Sequence, residues 1–389
     1  MSVTMPSLKG RSDMKKIYLS SPTIHGEEQQ FVAEAFEKNW IAPVGFNIDL
    51  FEQEIENYIN ATSPGKFRAL AVDSGTAALH LAYKLAGVRR GTPVFVSDST
   101  YCATVFPISY EGGVPIFIDS ERDSWNMDPE ALEKAFRLHP EVKHVSVVHL
   151  FGTAAKIDVI KDICDRHGAT LIEDAAEALG SYYKGRHCGT WGDYNVISFN
   201  GNKIITSSSG GMLLTKTEEE RSRAFKYATQ SREPVIWFEH HDIGYNYRLS
   251  NVSAGIGRGQ LLHLEEHRQL KKRIYETYKA GFEGLPVTMN PVPADCDPNY
   301  WLSCVLIDRG VDVKPMQVLD AMRERANAEG RPIWKPMSMQ KVYEGSETVS
   351  VEDYPVGYDL YDRGFCMPSD IKMTDEDMQL IISAVRSCF

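Results

Sequence analysis

The chain has 389 residues, 43% of them hydrophobic and 24% charged. This composition is typical of a soluble globular protein and excludes disordered, collagen-like and disulfide-stapled classes; at about 150 residues per domain, the length predicts two or three domains. The 42 basic and 53 acidic residues give a net charge of −11 with no basic run, so we expect neither nucleic acid nor an anionic membrane surface as a partner.

Short apolar runs alternate with amphipathic segments over the first two thirds of the chain. The runs with the character of buried strands are 94–97, 144–148, 170–173, 195–199 and 211–215. Helical patterns lie between several of them, at Thr76–Ala86, Asp128–Leu138 and Ile157–His167. This alternation predicts an α/β fold whose large domain is a mainly parallel sheet covered by helices on both faces.

The last third has a different pattern. A long charged helix is predicted over 250–282, and four prolines follow between 286 and 298. New signals for a strand at 301–307 and a helix at 313–330 come after this proline-rich loop. We therefore place a domain boundary near 275–285, with a smaller C-terminal α/β domain beyond it.

The cysteine pattern and the lengths of the apolar runs predict the cellular compartment of the protein. The 7 cysteines are scattered and never form a Cys-x-x-Cys pair, so we expect reduced thiols in a cytoplasmic protein and no metal site. No run approaches the roughly 18 apolar residues of a membrane span. The first 16 residues have no apolar core, so no signal peptide is expected.

Two charged residues follow predicted strands and are candidates for chemistry. Asp174 closes the run TLIED, which places it at the carboxyl edge of the sheet, where α/β proteins bind ligands. A helix N-cap is the simpler interpretation of the same position. Lys203 lies in SFNGNKIITSSSGGM among glycines and serines, and its apolar neighbours argue against the alternative of a solvated surface lysine.

Two further features are consistent with a bound, planar anion. Ser74, Gly75 and Thr76 open an apolar helix, where free backbone N–H groups and the helix dipole favour an anion, although capping by Ser74 alone explains the pattern equally well. Tyr101 follows a strand and could stack on a flat ligand or simply pack at a rim. Pyridoxal phosphate requires a lysine, a carboxylate, a phosphate site and a stacking ring, and the chain offers a candidate for each.

The ordered segments DSGTAALHLA, HLFG, EDAAEALGS, SFNGNKIITSSSGGM and GYNYRLSN carry a family resemblance. From about Tyr18 to Ile382 the sequence resembles the DegT/DnrJ/EryC1/StrS sugar aminotransferases, including the 29-residue separation of Asp174 from Lys203. The resemblance implies the fold type I architecture of pyridoxal phosphate enzymes. It also implies an N-terminal segment at 1–30 that packs on the small domain, a large cofactor domain at 31–275 and a small C-terminal domain at 276–389.

The resemblance assigns roles position by position. Lys203 is similar to the Schiff-base lysine and Asp174 to the partner of the pyridinium nitrogen, while Tyr101 occupies the position where the family stacks an aromatic ring on the cofactor. Related dehydratases carry His at the lysine position, so Lys203 favours amino transfer. The residues implied to surround the cofactor phosphate and ring in the same way are Ser74, Gly75, Thr76, Ser198 and Glu177, the last with no defined role.

Two partners are implied as well. Asn246 of GYNYR corresponds to a residue that reaches the phosphate in the neighbouring subunit, which implies a homodimer with shared active sites. Glutamate is the implied amino donor. Candidate substrate contacts are Trp40 beside the sugar, and Arg248 and Lys335 at the substrate diphosphate or donor carboxylate; packing or salt bridges are equally good interpretations of all three.

KNWIAP, NGNKIIT and RPIWKPM resemble family members that act on UDP-linked 4-keto-6-deoxy-N-acetyl sugars in bacillosamine-type pathways. The expected reaction is transfer of an amino group from glutamate to the C4 ketone of UDP-2-acetamido-4-keto-2,4,6-trideoxyhexose. The alternatives are a 3-keto sugar aminotransferase and a non-catalytic cofactor-binding regulator. A nucleotide-binding Rossmann protein is disfavoured because no Gly-x-Gly-x-x-Gly follows a predicted strand.

Overall fold

The computed structural model describes residues 15–389. The strands of this part of the chain are β1 (Arg68–Val72), β2 (Pro93–Ser97), β3 (Val114–Ile118), β4 (His144–Val148), β5 (Thr170–Asp174), β6 (Tyr182–Tyr183), β7 (Arg186–His187), β8 (Tyr194–Ser198), β9 (Gly211–Thr215), β10 (Val287–Met289), β11 (Cys296–Asp297), β12 (Cys304–Ile307), β13 (Arg331–Pro332), β14 (Thr348–Val349) and β15 (Gly364–Cys366). The α-helices are α1 (Glu27–Glu37), α2 (Phe46–Asn60), α3 (Gly75–Ala86), α4 (Phe106–Tyr110), α5 (Pro129–Leu138), α6 (Ile157–His167), α7 (Glu218–Ala228), α8 (Asn251–Leu261), α9 (Leu264–Gly281), α10 (Pro315–Ala326), α11 (Val356–Arg363) and α12 (Asp375–Arg386).

A large sheet organises the first two thirds of the chain, in the order β1-β9-β8-β5-β4-β2-β3-β14. All its pairings are parallel except those of β9, which runs antiparallel to β1 and β8. The five strands predicted from apolar runs are confirmed as β2, β4, β5, β8 and β9, and the mainly parallel α/β prediction is confirmed with them.

Helices cover both faces of this sheet because its side chains alternate between two apolar layers. Phe95 of β2 faces a cluster that includes Leu132 of α5 and Ile160 of α6. Its neighbours in β2 face the opposite cluster, which includes Leu79 and Tyr83 of α3. Since parallel strands all point the same way, the loops after β2, β4, β5 and β8 meet at one edge, and this edge carries the site described below.

The single helix predicted over 250–282 is wrong. The chain forms α8 and α9 instead, separated at Leu262 and His263. His263 has φ −109° and ψ 8°, outside the helical region, and serves as the N-cap of α9. The charge pattern runs continuously through this point, so it does not mark the break.

The C-terminal part contains a second, antiparallel sheet in the order β10-β12-β15-β13. It shares an apolar core with α9, α10 and α12. The N-terminal segment lies against this part, with a bridge from Ile17 to Ala328 and a hydrogen bond from the Ser21 N–H to Asp370. β14 returns to pair with β3 of the large sheet. The division at 30 and 275 stays a prediction, and residues 1–14 of its first segment lie outside the described residues.

The described residues, 15–389, contain no helix that is both long and apolar enough to cross a membrane. All 7 cysteines are free thiols.

Candidate active site

A cavity of about 490 Å³ opens at the carboxyl edge of the large sheet. Its walls come from the start of α3, the loops after β2, β5 and β8, and the C-terminal part of the chain. Eight of the predicted cofactor-site residues line it: Ser74, Gly75, Thr76, Tyr101, Asp174, Glu177, Ser198 and Lys203. The fold thus brings together residues that are up to 129 positions apart.

The N-terminus of α3 forms one end of the cavity. Ser74 is the N-cap, and its Oγ accepts the Ala77 N–H at 3.1 Å. The N–H groups of Gly75 and Thr76 belong to the first turn, where a helix supplies no carbonyl partner. A Cβ atom at Gly75 would lie 3.0 Å from Cβ of Ser198. Glycine therefore lets the helix start lie against β8, which leaves a compact group of donors for an anion.

Asp174 ends β5 and points into the same cavity. Its Oδ2 accepts a hydrogen bond from Thr104 Oγ1 at 2.7 Å, and its Oδ1 accepts the Ala176 N–H at 3.0 Å. Burial raises the pKa of the Asp174 carboxyl above its ordinary value, and the hydrogen bond from Thr104 opposes this shift. The carboxyl group is oriented from two sides and is suited to bind a protonated ring nitrogen.

Glu177 is buried beside the lysine. Its Oε2 accepts the Phe151 N–H at 2.7 Å, and its Oε1 lies 3.7 Å from Nζ of Lys203. Phe151 has a left-handed backbone, with φ 57°, and this turn of the HLFG segment directs its N–H to the carboxylate. Burial raises the pKa of Glu177, whereas the charge of Lys203 lowers it.

Lys203 is only 13% exposed. Its Nζ lies 4.1 Å from the centre of the Trp301 ring, in a cation–π contact. The Trp301 Nε1–H donates to the carbonyl oxygen of Asn202 at 2.7 Å, which fixes the ring beside the lysine. The amine is thus directed into the cavity between an aromatic face and a carboxylate.

Tyr101 lies at the mouth, where its side chain is 58% exposed. Its ring centre is 6.2 Å from that of Trp334, and the two rings are tilted by 58°. Thr100, Tyr101 and Trp334 also line a second cavity of about 340 Å³, which contains the predicted substrate residue Lys335. A ligand in the main cavity could therefore extend between these rings towards Lys335.

Asn246 is exposed and lies between two tyrosines that are held firmly. The rings of Tyr245 and Tyr247 stack with centres 4.9 Å apart, and both contact His80. The Tyr245 hydroxyl donates to Glu111 at 2.9 Å, and the Tyr247 hydroxyl is 3.0 Å from His80 Nδ1. The two stacked tyrosines, Tyr245 and Tyr247, therefore fix the backbone at Asn246 on the molecular surface.

Three predicted residues line neither of these two cavities in the described chain: Asn246, Trp40 and Arg248. Arg248 instead forms a buried ion pair with Glu52 and donates to the Ala71 carbonyl oxygen at 2.9 Å. Trp40 is 47% exposed, and its carbonyl oxygen accepts from Asn251 at 2.8 Å. Of the interpretations considered for Arg248, the structure therefore shows the salt bridge.

The structure adds cavity residues that sequence reasoning missed: Asn200, Asn202, Ser209, Trp301, Arg331 and Trp334. Asn200, Asn202 and Ser209 flank Lys203 in the quoted motif and could have been found there. Arg331 and Trp334 belong to the RPIWKPM segment, but neither was singled out there. The strand β13, which contains Arg331, pairs with β15, so the tertiary fold brings this residue to the cavity lining.

The lysine and carboxylate at the carboxyl edge of this sheet, with a helix N-terminus beside them, define an enzyme of the fold type I pyridoxal phosphate class. The family model of the DegT/DnrJ/EryC1/StrS aminotransferases matches residues 22–386. The chain therefore belongs to this aminotransferase family, and pyridoxal phosphate is its cofactor.

Individual relatives agree with the family match. The chain is 42% identical to EpsN of Bacillus subtilis (strain 168), assigned to the pyridoxal phosphate-dependent aminotransferases, over 96% of both chains. It is 30% identical to the GDP-perosamine synthase of Vibrio cholerae, over 95% of this chain and 98% of that protein. The solved aminotransferase TlmJ from Streptoalloteichus hindustanus superposes with a TM-score of 0.85 at 26% identity, covering 95% of this chain and 98% of TlmJ.

Proposed function

We propose that this protein transfers the amino group of glutamate to the C4 ketone of a nucleotide-linked 4-keto-6-deoxy sugar, with UDP-2-acetamido-4-keto-2,4,6-trideoxyhexose as the substrate. The observation that carries the proposal is the convergence of Lys203, Asp174 and the α3 N-terminus on one cavity. These groups supply an amine, a buried carboxylate and an anion site within a single enclosure.

The groups that line the cavity match the groups that pyridoxal phosphate requires. The N–H groups of Gly75 and Thr76, together with the hydroxyls of Thr76 and Ser198, would hold the phosphate. Asp174 would hold a proton on the pyridine nitrogen, and Lys203 would hold the cofactor covalently through Nζ. The bound cofactor supplies an electron sink for the carbon that loses a proton.

Lys203 acts a second time as the proton carrier. Once its amine is free, Nζ would take the proton that the α-carbon of glutamate loses in the first half-reaction. In the second half-reaction Nζ would deliver a proton to C4 of the sugar as that carbon receives the amine. Proton transfer by a positioned group contributes about 10²–10⁴-fold to a rate. Glu177 Oε1, 3.7 Å from Nζ, and the Trp301 ring limit where the amine can rest between these steps.

The substrate is anionic, and so is the chain, with a net charge of −11. Local cations must therefore attract it against the overall field. Arg331 lines the main cavity, and Lys335 lines the adjoining one. We assign Arg331 to the donor carboxylate and Lys335 to the diphosphate, with Tyr101 and Trp334 between them.

We also infer a homodimer with composite sites. Asn246 is exposed on its own chain and lies outside the cavity that the described residues form. The Asp73 N–H donates to the Tyr247 carbonyl oxygen at 2.8 Å. This hydrogen bond joins the segment around Asn246 to the loop that precedes α3. A second copy would receive the Asn246 amide at its phosphate site while each copy keeps its own Lys203.

A GDP-linked sugar is the second candidate. It is favoured by the 30% identity with a GDP-perosamine synthase over 95% of the chain. The sequence similarities of KNWIAP, NGNKIIT and RPIWKPM favour the UDP-linked N-acetyl sugar instead. The two candidates differ in nucleotide and in the C2 substituent, and both imply a ketone that accepts an amine.

The test is an assay of the purified holoenzyme with glutamate against UDP-linked and GDP-linked 4-keto sugars and a 3-keto sugar. Release of 2-oxoglutarate reports turnover, and NMR of the product locates the new amine. We expect preferred turnover of the UDP-linked N-acetyl sugar with the amine at C4. Preference for the GDP-linked sugar, or an amine at C3, would contradict the substrate assignment. Absence of turnover with every sugar and with glutamate alone would favour a non-catalytic regulator.

A further inference from the structure

A cluster of histidines lies where the N-terminal segment crosses the start of α9. His25 and His263 have stacked rings with centres 3.7 Å apart. Glu266 lies one helical turn after His263, and one ligand atom from each of these three side chains falls within 4.8 Å of the others. The His263 and Glu266 side chains are 22% and 58% exposed, so an ion could reach them from solvent.

The hydrogen bonds around His25 fix which of its nitrogens is available. His267 Nδ1 lies 2.8 Å from the carbonyl oxygen of Ile204 and must donate to it. In the neutral ring of this buried histidine, Nε2 is then an acceptor. His25 Nε2, 2.8 Å away, must donate to that acceptor. The Nδ1 atom of His25 is consequently the one that carries a free lone pair.

His263 has a carboxylate at each nitrogen. Its Nε2 lies 3.2 Å from Glu27, and its Nδ1 lies 3.2 Å from Glu266. A neutral imidazole has one N–H, and donating it to Glu27 leaves the Nδ1 lone pair facing a carboxylate oxygen. Two lone pairs at this distance repel each other unless a cation lies between them, and that cation is either a proton or a metal ion.

We propose that His25 Nδ1, His263 Nδ1 and the Glu266 carboxylate bind a divalent transition-metal ion of the Zn²⁺ class. Two imidazoles and one carboxylate are a ligand set that zinc accepts, with a fourth position left to water. Ligands about 2.0–2.1 Å from one zinc ion at tetrahedral angles are about 3.4 Å apart, close to the 3.2 Å between Nδ1 of His263 and Glu266. Because a single ion cannot lie in both planes of two stacked rings, binding requires one ring to rotate about its Cβ–Cγ bond.

The groups behind the ligands fit the same role. In the unrotated arrangement His267 accepts the N–H of His25, and Glu27 accepts the N–H of His263. The ring that does not rotate would keep this outer partner, as a metal-bound histidine usually does. The ion would join the segment before α1 to the first turn of α9. His267 also bonds to Ile204, which follows Lys203, so the site supports the active-site loop from behind without touching the reaction.

The experiment is a titration of tag-free, chelator-treated holoenzyme with Zn²⁺ by calorimetry, with Mg²⁺ as the hard-cation comparison. We expect one Zn²⁺ per chain, a rise in melting temperature and no response to Mg²⁺. His25→Gln and His263→Gln should each weaken Zn²⁺ binding at least 10-fold. His241→Gln, at an exposed histidine that also contacts a carboxylate, is the matched control and should bind as the wild type does.

Circular dichroism and melting in chelator establish that each variant is folded. Binding of Co²⁺ in place of Zn²⁺ provides a second readout, since a tetrahedral site gives intense visible bands that should disappear in the His263→Gln variant. Absence of saturable Zn²⁺ binding would mean that a proton alone bridges His263 and Glu266, and it would overturn the proposal. Equal binding by wild type and both site variants would overturn it too, because the ion would then lie elsewhere.

Discussion

The side-chain amine of Lys203 lies 4.1 Å above the ring of Trp301, a residue 98 positions later in the chain. Trp301 is fully buried, and its indole N–H is bonded to Asn202, the residue before the lysine. The C-terminal part of the chain therefore supplies the aromatic surface that the Lys203 amine contacts. This contact, together with Glu177, defines the position of the Lys203 amine in the cavity.

Trp301→Leu should slow turnover by removing the aromatic face. A cation–π contact of this kind contributes about 0.5–2 kcal/mol, which corresponds to about 2–30-fold in rate. Trp301→Phe keeps a π face and should lose less. The measurement is kcat at saturating glutamate and sugar for both folded variants, with cofactor affinity measured separately. Equal losses in the two variants would show that ring volume matters rather than the cation–π contact.

Asp174→Asn should leave a folded protein that still binds the cofactor but transfers amino groups at least 100-fold more slowly. The amide cannot hold a proton on the ring nitrogen by charge, so the electron sink is weakened. The amide oxygen can still accept the Ala176 N–H, and the amide nitrogen can donate to Thr104 Oγ1, which reverses the direction of that bond. Rapid-mixing absorbance of the glutamate half-reaction measures the effect. An unchanged rate would remove the role assigned to Asp174.

Asp98 gives a prediction on pH and stability. It is fully buried, and burial, with the nearby Asp119, raises its pKa to about 6 despite hydrogen bonds from Ser338. Because the pKa is higher in the folded chain than in the unfolded one, the protonated carboxyl favours folding at low pH. This contribution is fully present below about pH 4 and is lost as the pH rises through about 6.

Asp98→Asn should remove that dependence, since the amide can still accept the Ser338 N–H. The change in unfolding free energy between pH 4 and pH 7 should then shift by about 2 kcal/mol relative to wild type, for a pKa displaced by about two units. Denaturant unfolding at the two pH values measures it. Asp312→Asn, at an exposed position, is the control. A shift equal to that of the control would contradict the raised pKa.

Mixing two inactive variants tests the composite dimer. Asn246→Asp places a negative charge where the partner's phosphate is proposed to bind, and Lys203→Ala removes the reactive amine. In a hybrid dimer both defects fall in one site, which leaves the other site intact. Random exchange should restore about a quarter of wild-type activity. No recovery, with exchange verified by mass spectrometry of the intact dimers, would mean that Asn246 serves its own subunit.

Much of the architecture could be read from local pattern. β4 has the predicted bounds 144–148, β5 extends the predicted run 170–173 by one residue, and α6 begins and ends at the predicted residues. The predicted break-free helix over 250–282 failed because the charge pattern does not change at His263, where the helix stops. β1 and β3 were missed, although both are buried over most of their length.

Some residues of the candidate site could also be predicted from local sequence, and others could not. Asp174 and Lys203 could be predicted because each comes at or after the end of a predicted strand, and these strands end at the same edge of the sheet. Trp301 reaches the cavity only through the packing of the C-terminal part, for which no local spacing gives a signal. Arg331 and Trp334 lie in the RPIWKPM segment, but their place in the cavity depends on the same packing. Arg248 was predicted as a substrate contact because it lies in a motif of the family resemblance. In the structure it forms an ion pair with Glu52 and does not line the cavity.

The central claim is that Lys203 both holds the cofactor and moves the proton. The most direct measurement is a single-turnover reaction of the purified holoenzyme with glutamate, followed by release of 2-oxoglutarate and by the visible spectrum. The wild type and Lys216→Ala, a control at an exposed lysine, should release about one equivalent per chain. Lys203→Ala should release none, should lack the spectral change, and should remain folded by circular dichroism. Release of 2-oxoglutarate by Lys203→Ala at a rate comparable to wild type would contradict the account.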